Sequence, residues 1–440
     1  MSNGKRPLNL ILEPVLAILV LVGIAHSLWF LTEELFLPQP FFYAVDDTYM
    51  DWFNVSYWAN VGGAYDTFNT IYPPISFVFL KIFSLGECYE TSTPGLARLC
   101  DWVGLATLHG FFILNIFLVG RSYFKLDPRT ALWRTIAASM GLPMLYTLNR
   151  GQLLIVCFTF VVLAFGNIVS SARFRWIATA IAINFKPYLI ASLAPHLLKR
   201  RWSRFEGCVI AVVAVYAVTW IILGDGSPIA LYRNIVDFEG FYQAVNVLDL
   251  WYSGTYIPMV SLAQGPFPLT HFVGSTGVEI MEVVVPLLLR STQLLIIATC
   301  MWSFFRSGTL STTRLALLCI GFTLISVEAG GYTQIILLYF VFMEKWHSPF
   351  QKVALVIAYI LAIPAEFTFG TVPSFPAYSY YAQRPVYLQF GVGLGSLLRP
   401  ALLQIILILL AADSLRQLYR NTFASVAPGA PAAVAKPAAD

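Results

Sequence analysis

Long apolar segments recur along almost the whole chain and constrain its fold more than any other feature. The first runs from Leu8 to Leu31. As a helix rising about 1.5 Å per residue, it is long enough to cross a hydrocarbon core of roughly 30 Å. Hydrophobic residues make up 58% of the 440 residues and charged residues only 11%, which excludes a soluble globular domain. The sequence therefore predicts an all-α polytopic membrane protein.

Most of these segments are predicted to cross the membrane, in one bundle of about 10–11 transmembrane helices with a re-entrant segment and short outer amphipathic helices. Residues 1–423 are predicted to form this single domain. The Ala/Pro-rich tail at 424–440 has no apolar periodicity, and we expect it to be disordered in the cytoplasm. The predicted crossings lie near residues 8–32, 100–120, 133–148, 152–170, 206–223, 283–305, 312–328, 331–344, 353–370 and 397–413.

The placement of charged residues predicts how the chain is oriented. Lys5 and Arg6 precede the first segment, whereas the acidic loop at 33–70 contains no Lys or Arg. Because loops rich in Lys and Arg stay in the cytoplasm, we expect both chain ends there and the acidic loop outside. The net charge of +4 does not indicate nucleic-acid binding, since the basic residues lie in short loops between apolar segments. The other basic residues expected in the cytoplasm are Arg121, Lys125, Arg129, Arg134, Arg173, Arg175, Lys199, Arg200, Arg201, Arg204, Arg306, Arg314, Lys345, Lys352, Arg416 and Arg420.

One apolar segment, at 176–198, does not fit as a simple crossing. Basic residues flank it on both sides, and Lys186-Pro187 interrupts it in the middle. Proline removes a helical donor and restricts the residue before it, so the helix is expected to break there. A re-entrant pair of half-helices with Lys186 at its tip accounts for both observations. The alternative is a kinked span with a snorkelling lysine.

The first outside loop carries a cluster of carboxylates directly after the first apolar segment. Asp46, Asp47 and Asp51 lie next to the aromatic residues of a predicted interfacial helix that begins near Trp52. Ionised groups beside a bilayer are costly to bury and usually face a water-filled cavity or a partner. We therefore interpret this cluster as a candidate functional site.

The cysteines divide into two groups. Cys88 and Cys100 fall in a predicted outside region, where an oxidising compartment would allow a disulfide between them. No C-x-x-C or His-rich cluster is present, so the sequence indicates no metal site, and we predict no cofactor. The remaining cysteines lie in apolar segments and are interpreted as small core residues: Cys157, Cys208, Cys300 and Cys319.

Several short motifs follow one another between residues 46 and 202, over about a third of the chain. Together they resemble the GT-C glycosyltransferases and, more narrowly, the bacterial integral-membrane mannosyltransferase-like family that uses polyprenyl-phosphate sugars. The motifs are the loop acids, Gly63-Ala64-Tyr65, Tyr72-Pro73-Pro74, Asn149-Arg150-Gly151-Gln152, Lys186-Pro187-Tyr188 and Lys199-Arg200-Arg201-Trp202.

This resemblance implies a membrane enzyme whose active site opens to the outer face of a bacterial cytoplasmic membrane, with a loop acid as general base and a lipid phosphate sugar as donor. Asp51, which precedes an aromatic residue, best matches the acid of the family, and Asp47 is the second choice. The second half of the chain departs from the pattern, because Glu328–Gln334 stands where related enzymes can place a polar or His-bearing loop. The sugar and any second catalytic residue therefore stay open.

Glycosyl transfer to a hydroxyl needs a base for the acceptor proton and a cation for the phosphate leaving group. One carboxylate can serve as base in a single inverting displacement. The candidate phosphate ligands are Arg150, Lys186 and Arg290; the candidate substrate-binding residues are Asp46, Tyr72, Asn149, Gln152, Tyr332 and His271.

The leading hypothesis is an inverting glycosyltransferase that moves mannose, or another hexose or pentose, from a polyprenyl-phosphate donor to a lipid-linked or glycan acceptor among membrane lipids. A transporter or flippase is the first alternative, although no clear repeat relates the two halves. A polymerase of a lipid-linked glycan is the second alternative. Such an enzyme is expected to use arginines of a large outer loop, and the second outside loop has only Arg233.

Overall fold

The computed structural model describes residues 9–41, 45–90, 93–245, 270–326, 330–369, 374–388 and 392–424. Helices dominate this part of the chain. Of the predicted tail at 424–440, only residue 424 is among the described residues. The helices up to residue 165 are α1 (Asn9–Glu34), α2 (Met50–Val61), α3 (Pro74–Ile82), α4 (Pro94–Cys100), α5 (Trp102–Leu126), α6 (Ala131–Ser139), α7 (Leu142–Arg150) and α8 (Leu154–Phe165).

The second half continues the helical bundle. A 3-10 helix, Pro187–Leu193, separates two of its members. The remaining helices are α9 (Ala172–Phe185), α10 (Ala194–Leu198), α11 (Trp202–Leu223), α12 (Pro228–Val245), α13 (Thr270–Phe305, with a break at Gly274), α14 (Thr312–Ser326), α15 (Gln334–Phe342), α16 (Pro349–Ala362) and α17 (Leu394–Ala424).

Within the described residues, five helices are long and apolar enough to cross a membrane. They lie in α1, α5, α11, α13 and α17. Ile210 and Ile221 of α11 are 69% and 77% exposed, as expected for side chains that face lipid. The structure thus confirms the prediction of an all-α polytopic membrane protein.

Several predicted crossings are shorter in the structure than the sequence indicated. The segment at 133–148 forms two helices, α6 and α7, which are separated near Gly141. A Cβ atom at Gly141 would lie 2.8 Å from the Cβ atom of Ala362, so the end of α16 approaches the chain closely at this point. The segment at 152–170 is reduced to α8, whose 12 residues span about 18 Å. The other shortened segments are α15 and α16.

The segment around Lys186 forms a re-entrant pair of half-helices. The helix α9 ends at Phe185, and Lys186 adopts extended backbone angles (φ −138°, ψ 98°) before the 3-10 turn. Ala172 at the start of α9 and His196 of α10 line the same cavity. The segment therefore enters and leaves at one end of the bundle, as the first of the two interpretations predicted.

A buried ion pair fixes α1 against α6. Arg134, which the sequence places at the cytoplasmic end of the predicted crossing at 133–148, is only 3% exposed and donates to the Glu13 carboxylate at 2.9 Å. The hydroxyl of Tyr359 donates to Glu13 at 2.9 Å as well. The sequence did not predict this pairing. Arg314 is likewise buried, with Glu344 at 2.6 Å.

The short helices α2, α3 and α4 pack over one end of the bundle. A disulfide joins Cys88 to Cys100, which ends α4. It confirms the pairing predicted from the sequence. The Asp101 carboxylate accepts hydrogen bonds from Tyr89 at 2.7 Å and from the Gly104 amide at 2.9 Å, so it links this region to α5.

We expect Cys88 and Cys100 to be unreactive toward a membrane-impermeant maleimide until a reductant is added. Intact cells or outward-facing vesicles would be labelled with and without reductant, and the modified thiols counted by mass spectrometry. A Cys88→Ser variant is the matched control, since it should expose one reactive thiol without reductant. Labelling of both cysteines in the unreduced wild type would contradict the bridge.

The described residues also contain a small antiparallel hairpin, which the sequence did not predict. Its strands are β2 (Phe375–Ser379) and β3 (Arg384–Leu388), with Ser379 opposite Arg384. The hydroxyl of Ser379 donates to the Leu35 carbonyl just after α1. A second pair, β1 (Thr368–Phe369) and β4 (Val392–Gly393), lies between α16 and α17.

Candidate active site

The start of α2 and the end of α7 meet at one backbone contact. The Tyr49 amide donates to the Asn149 carbonyl at 2.8 Å. Gly151, two residues after Asn149, caps α7 in the left-handed region (φ 68°), and a Cβ atom there would lie 2.7 Å from the Tyr49 carbonyl oxygen. Only glycine fits this approach without strain. This backbone contact places Asp47 and Asp51 beside Arg150.

Arg150 forms ion pairs with both acids. Its Nη2 and Nε atoms donate to the two oxygens of Asp51 at 3.0 and 3.2 Å, and its Nη1 atom donates to Asp47. The Arg150–Asp51 pair thus has the two-pronged geometry that a planar guanidinium favours. One cation holds both carboxylates at the surface of the bundle end, where each side chain is partly buried.

Gln152 connects this ion pair to Lys186. Its amide nitrogen donates to Asp51, and its carbonyl oxygen accepts from Lys186 Nζ and from the Tyr72 hydroxyl, each at 3.3 Å. Lys186 Nζ also lies 4.5 Å from the centre of the Tyr72 ring and 5.8 Å from that of Tyr332. An aromatic and amide environment therefore surrounds this ammonium group.

Lys186 is buried, and within the described residues it pairs with no carboxylate. An ammonium group without a counterion is expensive to bury. An anion placed beside it would remove that cost. The tip of the re-entrant segment is therefore suited to hold a negatively charged group.

The two carboxylates differ in their surroundings. Burial raises the pKa of the Asp47 carboxyl from its ordinary value of 3.8 to about 6; Arg150 opposes this rise, and the negative charge of Asp51 adds to it. Asp47 accepts a single hydrogen bond from Arg150, whereas both oxygens of Asp51 are occupied by Arg150 and Gln152. A carboxylate with a pKa near neutral is well suited to accept and release a proton.

The turn of the hairpin covers the cluster with aromatic side chains. The Tyr381 hydroxyl donates to the Asn149 side-chain oxygen at 3.2 Å. Arg98 lies 4.6 Å from the ring centre of Tyr380, and it donates to the carbonyls of Asp46 (2.7 Å) and Thr48. Sequence reasoning missed these residues. The run Tyr378-Ser379-Tyr380-Tyr381 in a predicted outside loop was the available signal.

The remaining predicted residues take different positions around the cluster. The Asp46 side chain is exposed. Asn149 is buried, and its amide group donates to the Phe41 carbonyl at 3.1 Å. Tyr332 stacks on Tyr146 with ring centres 6.4 Å apart. Asn149 and Tyr332 therefore help to build the walls of the cluster.

Two predicted residues are not brought into the cluster. Arg290 is exposed on α13, and its described contact is with Gln293 of the same helix at 3.0 Å. The side chain of His271 lies outside the described residues. Glu328 and Ala329, part of the loop in which the second half departs from the expected pattern, also lie outside them.

A carboxylate pair, two cations and several hydrogen-bonding groups thus lie together at one end of a helical membrane protein. Residues 69–327, more than half of the chain, match the model of glycosyltransferase family 87, and the chain belongs to this family of GT-C-type membrane glycosyltransferases. No curated protein and no solved structure matches it significantly.

The matched region contains part of the cluster but not its acids. Tyr72, Arg150 and Lys186 lie inside it, whereas Asp47 and Asp51 precede its first residue. The family therefore shows that the protein is a glycosyltransferase. The roles of the two carboxylates depend on the geometry described above.

Proposed function

We propose that this glycosyltransferase transfers a single sugar from a polyprenyl-phosphate donor to a lipid-linked or glycan acceptor, with inversion at the sugar carbon. The reaction takes place at the outer face of a bacterial cytoplasmic membrane, with both chain ends in the cytoplasm. The supporting observation is that Arg150 and the buried Lys186 lie on one hydrogen-bonded chain with Asp47 and Asp51. The residues proposed as the base and as the phosphate ligands are therefore neighbours in one network.

Asp47 is proposed as the general base. Its pKa of about 6 leaves it mostly ionised near neutral pH while keeping it basic enough to remove a hydroxyl proton during attack. Asp51 is proposed as a positioning residue, because its two oxygens are committed to Arg150 and Gln152. This assignment reverses the order of preference derived from the sequence.

Lys186 and Arg150 are proposed to bind the donor phosphate. Lys186 lacks a carboxylate partner among the described residues, so the phosphate supplies its counterion. When a phosphate also engages Arg150, it competes with Asp47 for that guanidinium. Donor binding would then loosen the hold of Arg150 on the base shortly before the acceptor arrives.

Gln152 and Tyr72 are proposed to orient sugar hydroxyls, since their amide and hydroxyl groups lie within this network. Asn149, whose side chain contacts Phe41 and Tyr381 at the wall of the cluster, is proposed to assist them. Asp46, Tyr332 and His271 are proposed to contribute to substrate binding at the edge of the site. The donor sugar is proposed to be mannose or another hexose or pentose.

We expect purified full-length protein to release polyprenyl phosphate from one member of a panel of polyprenyl-phosphate sugars when a lipid-linked acceptor is added. Mass spectrometry would detect the released carrier together with an acceptor heavier by one sugar. Nucleotide sugars offered alone are the matched control and should give no product. Product formed only from nucleotide sugars would overturn the donor assignment, and movement of an unaltered lipid across the bilayer would support the flippase alternative.

A further inference from the structure

A second polar site lies at the opposite end of the bundle from Arg150. It is a cavity of about 180 Å³ whose lining residues include Arg175 and Thr179 of α9. The helix α9 runs from this cavity to Lys186 over 14 residues, or about 21 Å. The two sites are therefore separate, and the proposed glycosyl transfer does not use this one.

The lining of the cavity is strongly basic. Arg175, Arg201, Arg204 and His196 contribute to it, and no Asp or Glu is among the described residues that line it. Arg175 is partly buried, yet its guanidinium has no hydrogen-bond acceptor within the described part of the chain. Nδ1 of His196 is buried without a hydrogen-bond partner there as well. This grouping favours an anionic ligand with several oxygen atoms.

Three helix N-termini reinforce the positive potential. The helices α9, α11 and α14 each begin at the cavity, which is lined by Ala172, Arg201 and Thr312. Unpaired backbone N–H groups and the helix dipole favour anions at such ends. Ser311 and Thr313 add hydroxyl groups at the same wall, and the hydroxyl of Thr312 is buried without a described partner.

The surroundings of the cavity are apolar and exposed. Phe174 and Ile177, which flank Arg175 and Trp176 on α9, are 46% and 48% exposed, and Trp202 at the start of α11 is 51% exposed. Aromatic side chains at helix ends are typical of the membrane interface. These exposed side chains are those expected around a cavity at the depth of lipid headgroups, and the cavity lies next to the loops that the sequence predicts in the cytoplasm.

We propose that this cavity binds the phosphate group of an anionic phospholipid from the cytoplasmic leaflet. Basic pockets between helices on that side of a membrane are suited to such headgroups. Arg175 donates to the phosphate, the hydroxyl groups of Ser311 and Thr313 complete its coordination, and Trp176 lies against the glycerol region. The bound lipid ties the re-entrant segment to α14.

The test measures binding of short-chain phosphatidylglycerol to full-length protein in non-ionic detergent by native mass spectrometry and by thermophoresis. Arg175→Gln is expected to weaken binding about tenfold or more, since it removes a charge-assisted contact. Arg173→Gln is the matched control, because Arg173 is exposed on the same helix and does not line the cavity. The Arg173→Gln variant should change the affinity for phosphatidylglycerol by less than about twofold, well below the tenfold loss expected for Arg175→Gln.

Two further arms identify the ligand. Short-chain phosphatidylcholine should bind at least about tenfold more weakly than phosphatidylglycerol, because its headgroup carries no net charge. Inorganic phosphate should compete only weakly. Equal affinity for the two lipids, or phosphate binding that the lipid does not displace, would overturn the lipid assignment. Equal binding by Arg175→Gln and Arg173→Gln would overturn the site itself.

Should Arg175→Gln not fold, Arg175→Lys replaces it in the same measurement. A lysine keeps the charge but cannot reproduce the planar fork of arginine, so affinity should fall several-fold and remain above that for phosphatidylcholine. If the Arg175→Lys and Arg204→Lys variants both bind phosphatidylglycerol with wild-type affinity, the proposal is contradicted. None of these readouts depends on glycosyl transfer, so they are independent of the proposed reaction.

Discussion

Replacing Asp47 with Asn is expected to lower turnover by about 100-fold or more while the protein still folds, because general-base catalysis contributes on the order of 10²–10⁴ in rate. Asn preserves the shape of the side chain and can still accept one hydrogen bond from Arg150, but it cannot take the acceptor proton. The measurement is the rate of polyprenyl-phosphate release at saturating donor, with the melting temperature recorded for each variant.

Asp51→Asn is the matched comparison for Asp47→Asn. It removes half of a two-pronged contact with Arg150, so we expect a loss of about tenfold, mainly through weaker positioning. A nearly wild-type Asp47→Asn together with an inactive Asp51→Asn would assign the base to Asp51. Activity in both variants would contradict the mechanism proposed here.

The pH dependence separates these roles further. The base must be deprotonated, so kcat/KM of the wild type should be highest above the raised pKa of Asp47 and fall as the pH drops through about 6. The charge of Asp51 raises the pKa of Asp47, so Asp51→Asn should move this acid limb to lower pH. Profiles of kcat/KM between pH 4.5 and about 8.5 would show the shift.

Several features of this fold could be predicted because local sequence determines them. A nearly unbroken apolar run from Leu8 to Leu31 indicates a membrane helix by itself. The Lys186-Pro187 pair favours a helix end, because proline lacks a backbone N–H and restricts the residue before it. Basic residues on both sides of the segment indicated that it returns to the same side. The pairing of Cys88 with Cys100 could be predicted because both lie close together in a predicted outside region, where disulfides form.

Features that depend on distant residues could not be predicted in this way. The partner of Arg134, Glu13, lies 121 positions earlier in the chain, so their buried ion pair was not expected from the sequence. The pairing of Arg150 with Asp51 joins residues 99 positions apart, and it changes the role of each. The sequence identified both as site residues, but as an independent base and an independent phosphate ligand.

The second large effect is expected for the cations. Lys186→Ala and Arg150→Ala should each weaken donor binding by about 10- to 150-fold, since each removes a charge-assisted contact of roughly 1.5–3 kcal/mol. Titration of a non-hydrolysable polyprenyl-phosphate sugar analogue against each variant would measure the dissociation constant. Arg290→Ala is the control, because Arg290 lies on α13 with no described contact to the cluster; its affinity should stay at the wild-type value.

The two cations should be distinguishable by their other effects. Arg150 lowers the pKa of Asp47, so Arg150→Ala should move the acid limb of kcat/KM to higher pH, opposite to the shift expected for Asp51→Asn. Arg150→Lys should restore binding only in part, because a single ammonium group cannot replace two parallel N–H donors.

Lys186 has no described carboxylate partner, so Lys186→Met should leave the melting temperature unchanged or raise it while donor affinity falls. Unchanged affinity in both alanine variants would place the phosphate elsewhere, and a loss confined to Arg290→Ala would identify α13 as its binding site.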